Sequence, residues 1–167
     1  METVATLTRR IAREGRVVWI GVRPARRAAM RALDAAEIGA DGIEGDHATG
    51  ARRAVTLVQA EHLGVIASLA GLDAVAPEAL RRNLAVEGLN LLGLRKRRFR
   101  LGTAVLEGSG PCAPCSRMEE ALGPGGYAAV RGHGGLYAAV IEPGRVALGD
   151  AVVPLDDRAL RSAPSRA

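Results

Sequence analysis

Hydrophobic positions along this chain occur in short runs that glycine, proline or arginine soon interrupts. Residues 16–22 combine β-branched and aromatic side chains and stop before Pro24, which predicts a strand. Residues 28–37 have the composition of a short helix, and a turn-rich loop follows over residues 39–46. Residues 54–58 then predict a second strand.

Two helices are predicted next. Residues 59–70 fit a helix that ends at Gly71, and residues 77–82 fit a shorter one with a proline in its first turn. Beyond Asn83 the pattern changes to short apolar stretches separated by glycine, which is typical of short strands. These stretches are residues 84–86, 89–92, 99–101 and 103–107.

A hairpin is predicted near the end of the chain. Residues 136–141 and 146–148 would pair across a turn at Pro143 and Gly144, and residues 151–153 would form a last strand. Strands in irregular order with a few short helices do not show the regular alternation of a doubly wound sheet. We therefore predict a β-rich α+β fold, built as a partly closed barrel.

The length and composition suit one folded domain. The chain has 167 residues, 48% of them hydrophobic and 25% charged, which argues against disorder throughout. We predict a single domain over residues 1–155 and a tail, residues 156–167, that buries little and frays. Apolar runs stop far short of the ~20 residues that a membrane span needs, and charged residues interrupt any secretory signal. A cytoplasmic protein without membrane contact is expected.

The charge balance is basic. The formal net charge is +5, and Lys96 is the only lysine, so arginine supplies the remaining positive charges. Guanidinium groups bind phosphate or carboxylate in a two-pronged way, which permits an anionic ligand. The basic run 95–100 alternates around Phe99 as a strand with one solvated face, and aromatic residues are only 2% of the chain. We do not expect nucleic acid as a partner.

The most informative segment is 107–122, EGSGPCAPCSRMEEAL, in which a strand runs through a glycine and proline loop into a helix. Ser116 is a suitable N-cap, and Glu119 three residues later would complete a capping box. Cys115 would then stand just before the helix, close to the positive end of its dipole. Such a position favours the thiolate and predicts a nucleophile or a metal ligand.

The neighbours of Cys115 support this interpretation. Pro111 and Pro114 stiffen the loop, and Arg117 adds a positive charge. The alternative is that Cys112 and Cys115 are both small buried hydrophobic residues.

The spacing of the cysteines leaves two more specific functions open, a redox pair and a zinc site. Cys112 and Cys115 could form a redox pair, although the βαβ unit expected around such a pair is not evident. A structural zinc site would need two more ligands, and the three histidines, His47, His62 and His133, are scattered singly.

Further candidates come from a glycine loop and a helix-to-strand corner. Glycines in residues 123–135 let backbone N–H groups approach a ligand, and Arg131 and His133 stand among them. An oxyanion could bind there, which makes a non-catalytic anion-binding module a third functional hypothesis; a mobile surface loop is the alternative. Arg81 and Asn83 lie where a helix gives way to a strand, a common place for binding residues.

Several segments resemble the MOSC domain family, named for the C-terminal domain of molybdenum cofactor sulfurases. The most specific is PCSRM at residues 114–118, and the resemblance extends over residues 17–153. The other matching segments are residues 42–46 (GIEGD), 53–57 (RAVTL, with Glu61 beyond it), 83–88 (NLAVEG) and 99–107 (FRLGTAVLE).

The resemblance implies a β-rich, barrel-like fold and one key cysteine, which maps onto Cys115; Cys112 is an addition to the general pattern. That cysteine would ligate molybdenum in the molybdenum cofactor (molybdopterin) or carry a persulfide sulfur. The protein would then be a molybdenum-cofactor-dependent oxidoreductase or a sulfur-transfer protein, served by a cysteine desulfurase-like sulfur donor or a redox partner. A homodimer and pyridoxal phosphate binding are also implied. The candidate cofactor-binding residues are Arg81, Asn83, Arg117, Arg131 and His133.

Overall fold

Seven strands close into a β-barrel in the computed structural model, which describes residues 1–48 and 50–156. This confirms the predicted β-rich α+β class. The strands of the described residues are β1 (Gly15–Val22), β2 (Arg31–Ala32), β3 (Ala35–Gly39), β4 (Gly42–Ile43), β5 (Val55–Gln59), β6 (Leu84–Glu87), β7 (Arg98–Leu101), β8 (Ala104–Pro111), β9 (Leu136–Glu142), β10 (Gly144–Ala147) and β11 (Ala151–Pro154).

The barrel runs in the order β11, β7, β8, β9, β5, β6 and β1, and pairing of β1 with β11 closes it. Its pairs are antiparallel except for β5 with β6, which are parallel and need a crossover connection. Strand β2 extends the sheet beyond β1, and β10, β3 and β4 form a separate three-stranded sheet.

Short helices accompany the strands. None of those in the described part of the chain is both long and apolar enough to cross a membrane. They are α1 (Val4–Arg9), α2 (Ala60–Ala70), α3 (Pro77–Leu80), α4 (Arg117–Leu122) and α5 (Gly126–Val130), with 3-10 turns at Ala51–Arg53 and Leu91–Leu94.

Two hydrophobic clusters stabilise the packing of the strands and helices. Leu57 of β5 belongs to the larger cluster with Phe99, whereas the next residue, Val58, belongs to a second cluster with Met118 and Val130 of α4 and α5. Successive side chains of a strand point to opposite faces, so β5 contributes to both clusters. This explains why all five of its residues are buried and apolar residues dominate it.

Two predicted elements take another form. Residues 28–37 are not a helix, because the chain there forms β2 and the start of β3, and the Leu33 amide donates to the Ile20 carbonyl of β1 at 2.9 Å. Pairing with β1 overrides the helical preference of the alanines. Residues 89–92 are not a strand, because a 3-10 turn begins at Leu91 and the Asn90 side chain accepts from the Leu92 amide at 3.1 Å.

The predicted hairpin is also wrong. Strands β9 and β10 follow each other directly, but β10 pairs with β3 and β9 pairs with β8 and β5. The partner of β10 lies about a hundred residues earlier in the chain, and Val146 opposite Ala36 becomes fully buried there. Of the tail predicted to fray, residues 157–167 lie outside the described residues. The single-domain boundaries stay a prediction.

Candidate functional site

The loop between β8 and α4 presents the two cysteines very differently. Both are free thiols, but Cys115 is exposed whereas Cys112 is only 4% exposed. The Cys112 amide donates to the Gly135 carbonyl at 2.8 Å, and the Cys115 carbonyl accepts from the Met118 amide at 2.9 Å. The backbone therefore holds the loop at both ends, with Cys115 exposed between them.

The predicted capping box does not form. Ser116 has helical torsions (φ −55°, ψ −24°), whereas an N-cap needs an extended backbone, and its hydroxyl makes no capping hydrogen bond. Glu119 instead accepts from the amides of Gly125 at 2.7 Å and Tyr127 at 2.9 Å. These bonds favour the carboxylate and lower the pKa of Glu119. Glu119 thus links α4 to the start of α5.

Arg81 occupies an unusual backbone position at the end of α3. Its φ of 56° lies in the left-handed region, which residues with a side chain seldom adopt. One guanidinium nitrogen, Nη1, donates to the Ala28 carbonyl at 2.5 Å. The other, Nη2, is buried and has no hydrogen-bond partner among the described residues. A buried donor without a partner is costly, so this nitrogen is suited to an anionic acceptor.

The charges around Arg81 define an arginine cluster, which consists of Arg23, Arg81 and Arg117. Burial, followed by the positive charges of Arg117 and Arg23, lowers the pKa of Arg81, whereas Asp46 and Cys115 raise it. Cys115 is therefore close enough to Arg81 to interact electrostatically. The structure brings together three predicted site residues here: Cys115, Arg81 and Arg117.

A small cavity opens on this cluster and is called the arginine cavity below. Its volume is about 260 Å³, and Arg27, Arg81 and Arg117 line it together with Glu120. Three guanidinium groups against one carboxylate give it a positive potential suited to a phosphate or another oxyanion. Cys115 is not part of its wall but lies two residues before Arg117.

Asn83 supports the cluster from inside the barrel wall. It is fully buried, and its Oδ1 accepts from the amide and hydroxyl of Thr56, both at 3.0 Å, and from Arg23 Nη2 at 3.3 Å. Its Nδ2 donates to the Gly21 carbonyl at 3.2 Å. These bonds occupy the side chain, so Asn83 positions Arg23, and the predicted direct contact with a cofactor does not fit its place in the structure.

Arg131 lies elsewhere, at a second cavity called the Arg131 cavity below. Its volume is about 320 Å³, and its wall includes Cys112, Pro114, His62 and Arg131. Of the predicted site residues, Arg81 and Arg117 line the arginine cavity and Arg131 lines this one, whereas Cys115, Asn83 and His133 line neither.

His133 does not line the Arg131 cavity. Its ring packs edge-on against His62, with centroids 5.0 Å apart, and its Nδ1 is buried without a partner among the described residues. Burial, followed by the charge of His133, lowers the pKa of His62, whereas Glu61 raises it.

Cys112 is poorly suited to chemistry as a thiolate. Burial raises its pKa to about 11, although Arg82, Arg53 and Arg23 act in the opposite direction. No group of three or more His, Cys, Asp or Glu side chains in the described part of the chain could hold a metal ion, which weighs against the zinc alternative.

Sequence reasoning missed Arg23 and Arg27. Arg23 follows the predicted first strand directly, and strand ends often carry binding residues, so that signal was available. Arg27 offered none, because it joins the arginine cavity through a left-handed backbone torsion (φ 65°) within an irregular loop.

The sequence was compared with models of known protein families and with curated proteins. A family model described as the MOSC domain matches residues 44–153. No curated protein sequence matches the chain.

The fold is similar to solved structures at low sequence identity. The YUAD protein from Bacillus subtilis superimposes with a TM-score of 0.74 at 20% identity, over 86% of this chain and 96% of that one. YiiM from Escherichia coli gives 0.67 at 23% identity, over 84% of this chain and 70% of that one. YiiM from Geobacillus stearothermophilus gives 0.70 at 19% identity, over 85% and 75%. At these identities the likeness concerns the fold.

Proposed function

The chain belongs to the MOSC domain family, and from that premise we propose that it binds the molybdenum cofactor with Cys115 as the sulfur ligand. The observation that carries the proposal is the exposed thiol of Cys115 two residues before Arg117, which lines one cavity with Arg81, whose Nη2 is buried without a partner among the described residues. A soft thiolate and an unsatisfied guanidinium donor are the two kinds of group that such a cofactor would need.

The residues present fit the cofactor in chemical type. A thiolate suits a soft metal centre, and the arginine cavity suits the cofactor's phosphate. When bound, the group would supply redox chemistry at molybdenum. Cys115 would hold the metal, Arg81 and Arg117 would bind the anionic end, and Arg27 would add positive charge to the same cavity. Arg23, paired with Asp46, would hold the end of β1 in place. Asn83 would act through Arg23.

Persulfide transport on Cys115 is the second candidate, because an exposed thiol beside positive charge also suits sulfur transfer. In that case the sulfur would come from a cysteine desulfurase-like donor. The charge of the arginine cavity favours the cofactor, since a persulfide alone does not require three arginines around a separate cavity.

Two other functions have less support. A redox pair needs a resolving thiolate, and the buried Cys112, with a pKa of about 11, is a poor one. Pyridoxal phosphate enzymes hold their cofactor through a lysine Schiff base. The only lysine, Lys96, lies in the turn before β7, where its amide donates to the Gly108 carbonyl at 2.8 Å, and it lines neither cavity.

The test is to purify the wild-type protein, Cys115→Ser and Cys112→Ala from a host that makes the cofactor. Molybdenum, oxidised pterin fluorescence and cyanide-labile sulfur are then measured on each. We expect wild type and Cys112→Ala to hold near-stoichiometric molybdenum and pterin, and Cys115→Ser to lose both.

Each other outcome has a clear meaning. Labile sulfur that depends on Cys115, without pterin, would replace cofactor binding with the sulfur-transfer candidate. Equal molybdenum, pterin and sulfur in wild type and Cys115→Ser would contradict both.

A further inference from the structure

The Arg131 cavity has walls made of rings and aliphatic side chains. They are Pro111 at the end of β8, Pro114 of the cysteine loop, Leu91 and Leu92 from the 3-10 turn, and Tyr127 from α5. Leu92 and Tyr127 are 54% and 46% exposed, so large apolar surfaces stay uncovered at this cavity. Its volume of about 320 Å³ lies at the lower end of the ~300–1,000 Å³ typical of small-molecule sites.

The charged groups of this wall have one sign. Arg131 is exposed; its amide donates to the Ala128 carbonyl at 3.3 Å, but its guanidinium makes no hydrogen bond or ion pair with the other described residues. Among the residues that the structure describes, no Asp or Glu lines the cavity. Glu61, the residue before His62 of the wall, does not line the cavity; its carboxylate accepts from the Gly88 amide at 2.7 Å and from Gln59. Within the described part of the chain, the cavity thus offers one unpaired guanidinium group and no negatively charged side chain.

Apart from the Tyr127 hydroxyl and the Cys112 thiol, the remaining polar side chains are Gln59, His62 and Asn90, whose Oδ1 accepts from the Leu92 amide at 3.1 Å. Gln59 is occupied at both ends, because its Oε1 accepts from the Leu91 amide at 3.0 Å and its Nε2 donates to Glu61. The His62 imidazole makes no hydrogen bond to another described residue, and the His133 ring packs edge-on against it. Its lowered pKa keeps this imidazole neutral near pH 7, so the guanidinium carries the cavity's positive charge.

From this geometry we infer that the Arg131 cavity binds a small aromatic carboxylate. The aromatic ring packs against the prolines, leucines and Tyr127, where offset and edge contacts between rings are favourable. The carboxylate pairs with Arg131, whose planar guanidinium binds it through two parallel hydrogen bonds. The site is distinct from the arginine cavity and does not depend on what Cys115 holds.

Cys112 provides a reporter for this site. Its thiol belongs to the cavity wall and is nearly buried, so a ligand in the cavity shields it further. Cys115 lies outside that wall. Slower modification of Cys112 on ligand binding, measured in a Cys115→Ser background, therefore reports on the Arg131 cavity alone and separates this test from that of the proposed function.

The experiment titrates the full chain with benzoate and with benzamide, its uncharged analogue, by calorimetry. We expect saturable benzoate binding. Benzamide should bind roughly tenfold more weakly than benzoate, or weaker still, because it cannot form the charged pair with Arg131. Arg131→Gln should reduce benzoate affinity by a similar factor and leave benzamide unchanged. Arg145→Gln, which removes an exposed arginine paired with Glu37, is the matched control.

The remaining outcomes overturn the inference. No saturable binding of benzoate excludes the site, and equal affinities for benzoate and benzamide exclude a role for the carboxylate. Unchanged benzoate affinity in Arg131→Gln, or an equal loss in Arg145→Gln, would place the anion contact elsewhere. Benzoate binding without protection of Cys112 would place the ligand outside this cavity.

Discussion

Arg23 binds Asp46 through both its backbone and its side chain. The Arg23 amide and Nε donate to Asp46 Oδ1 at 2.7 and 2.9 Å, and Nη2 donates to Oδ2 at 2.6 Å. The two side chains are 13% and 1% exposed. Since Nη2 also reaches Asn83, this pair ties the loop after β4 to the end of β1 and to the barrel wall.

Asp46→Asn should lower the free energy of unfolding by ~3–5 kcal/mol, because removing one partner leaves the Arg23 charge largely buried and uncompensated. Chemical denaturation measures the change. The matched control is Glu37→Gln, which breaks an ion pair with Arg145 whose side chains are both 60% exposed; its effect should stay below ~1 kcal/mol. Equal effects of the two substitutions would show that burial of the Arg23 pair is unimportant.

The contribution of Asp46 should disappear in acid. Burial acts to raise the pKa of Asp46, but the hydrogen bonds and charge of Arg23, with Asn83, outweigh it and lower the pKa below its ordinary value. The unfolded chain then takes up the proton at a higher pH than the folded one, so stability falls as pH decreases. The stability difference between wild type and Asp46→Asn should be constant above about pH 5 and shrink below about pH 4. A difference that stays constant down to pH 2 would contradict this.

The two thiols should react at very different rates. Cys115 is exposed, whereas Cys112 is buried and its pKa is raised to about 11. At pH 7 we expect one rapid modification by iodoacetamide, located at Cys115 by peptide mapping and absent from Cys115→Ser. Cys112 should react much more slowly in the folded protein, and faster as the pH rises, because the thiolate is the reactive form. Rapid labelling of Cys115→Ser would show that Cys112 is accessible.

Gly135 should tolerate no side chain, unlike Gly132 three residues earlier. Both have left-handed torsions, φ +94° and +84°, but a Cβ on Gly135 would lie 1.8 Å from the Leu57 carbonyl oxygen, whereas one on Gly132 meets nothing within 4 Å. Gly132→Ala should therefore cost ~1–2 kcal/mol from the torsion alone. Gly135→Ala should lose a further ~1–3 kcal/mol or more because the strand must move. Thermal unfolding compares the two, and similar losses would contradict the proposed clash.

The sequence predicted the barrel strands because β-branched and aliphatic residues concentrate there, as in β5, where every position is buried. It failed where a segment takes its structure from the strands beside it. Residues 28–37 become strands because β1 and β10 lie beside them, and no local pattern encodes those neighbours.

The same contrast between local sequence pattern and contacts with other segments applies to the candidate site. The exposure of Cys115 could be anticipated from the prolines around it. The arrangement of Arg23 could not, because its partners Asp46 and Asn83 are 23 and 60 residues away in the chain. The capping box failed because its acidic residue, Glu119, finds better donors in the next helix.

The closure of the barrel has a consequence for biosynthesis. Gly15 pairs with Val152 and Arg16 with Ala151. Strand β1, one of the first to leave the ribosome, therefore cannot complete its pairing until β11, one of the last, has been synthesised. Until residues 151–154 have been synthesised, β1 and β7 each present an unpaired backbone edge in the nascent chain. Such edges recruit other strands, so ribosome-associated chaperones and the rate of translation should affect the yield of folded protein more than its final stability does.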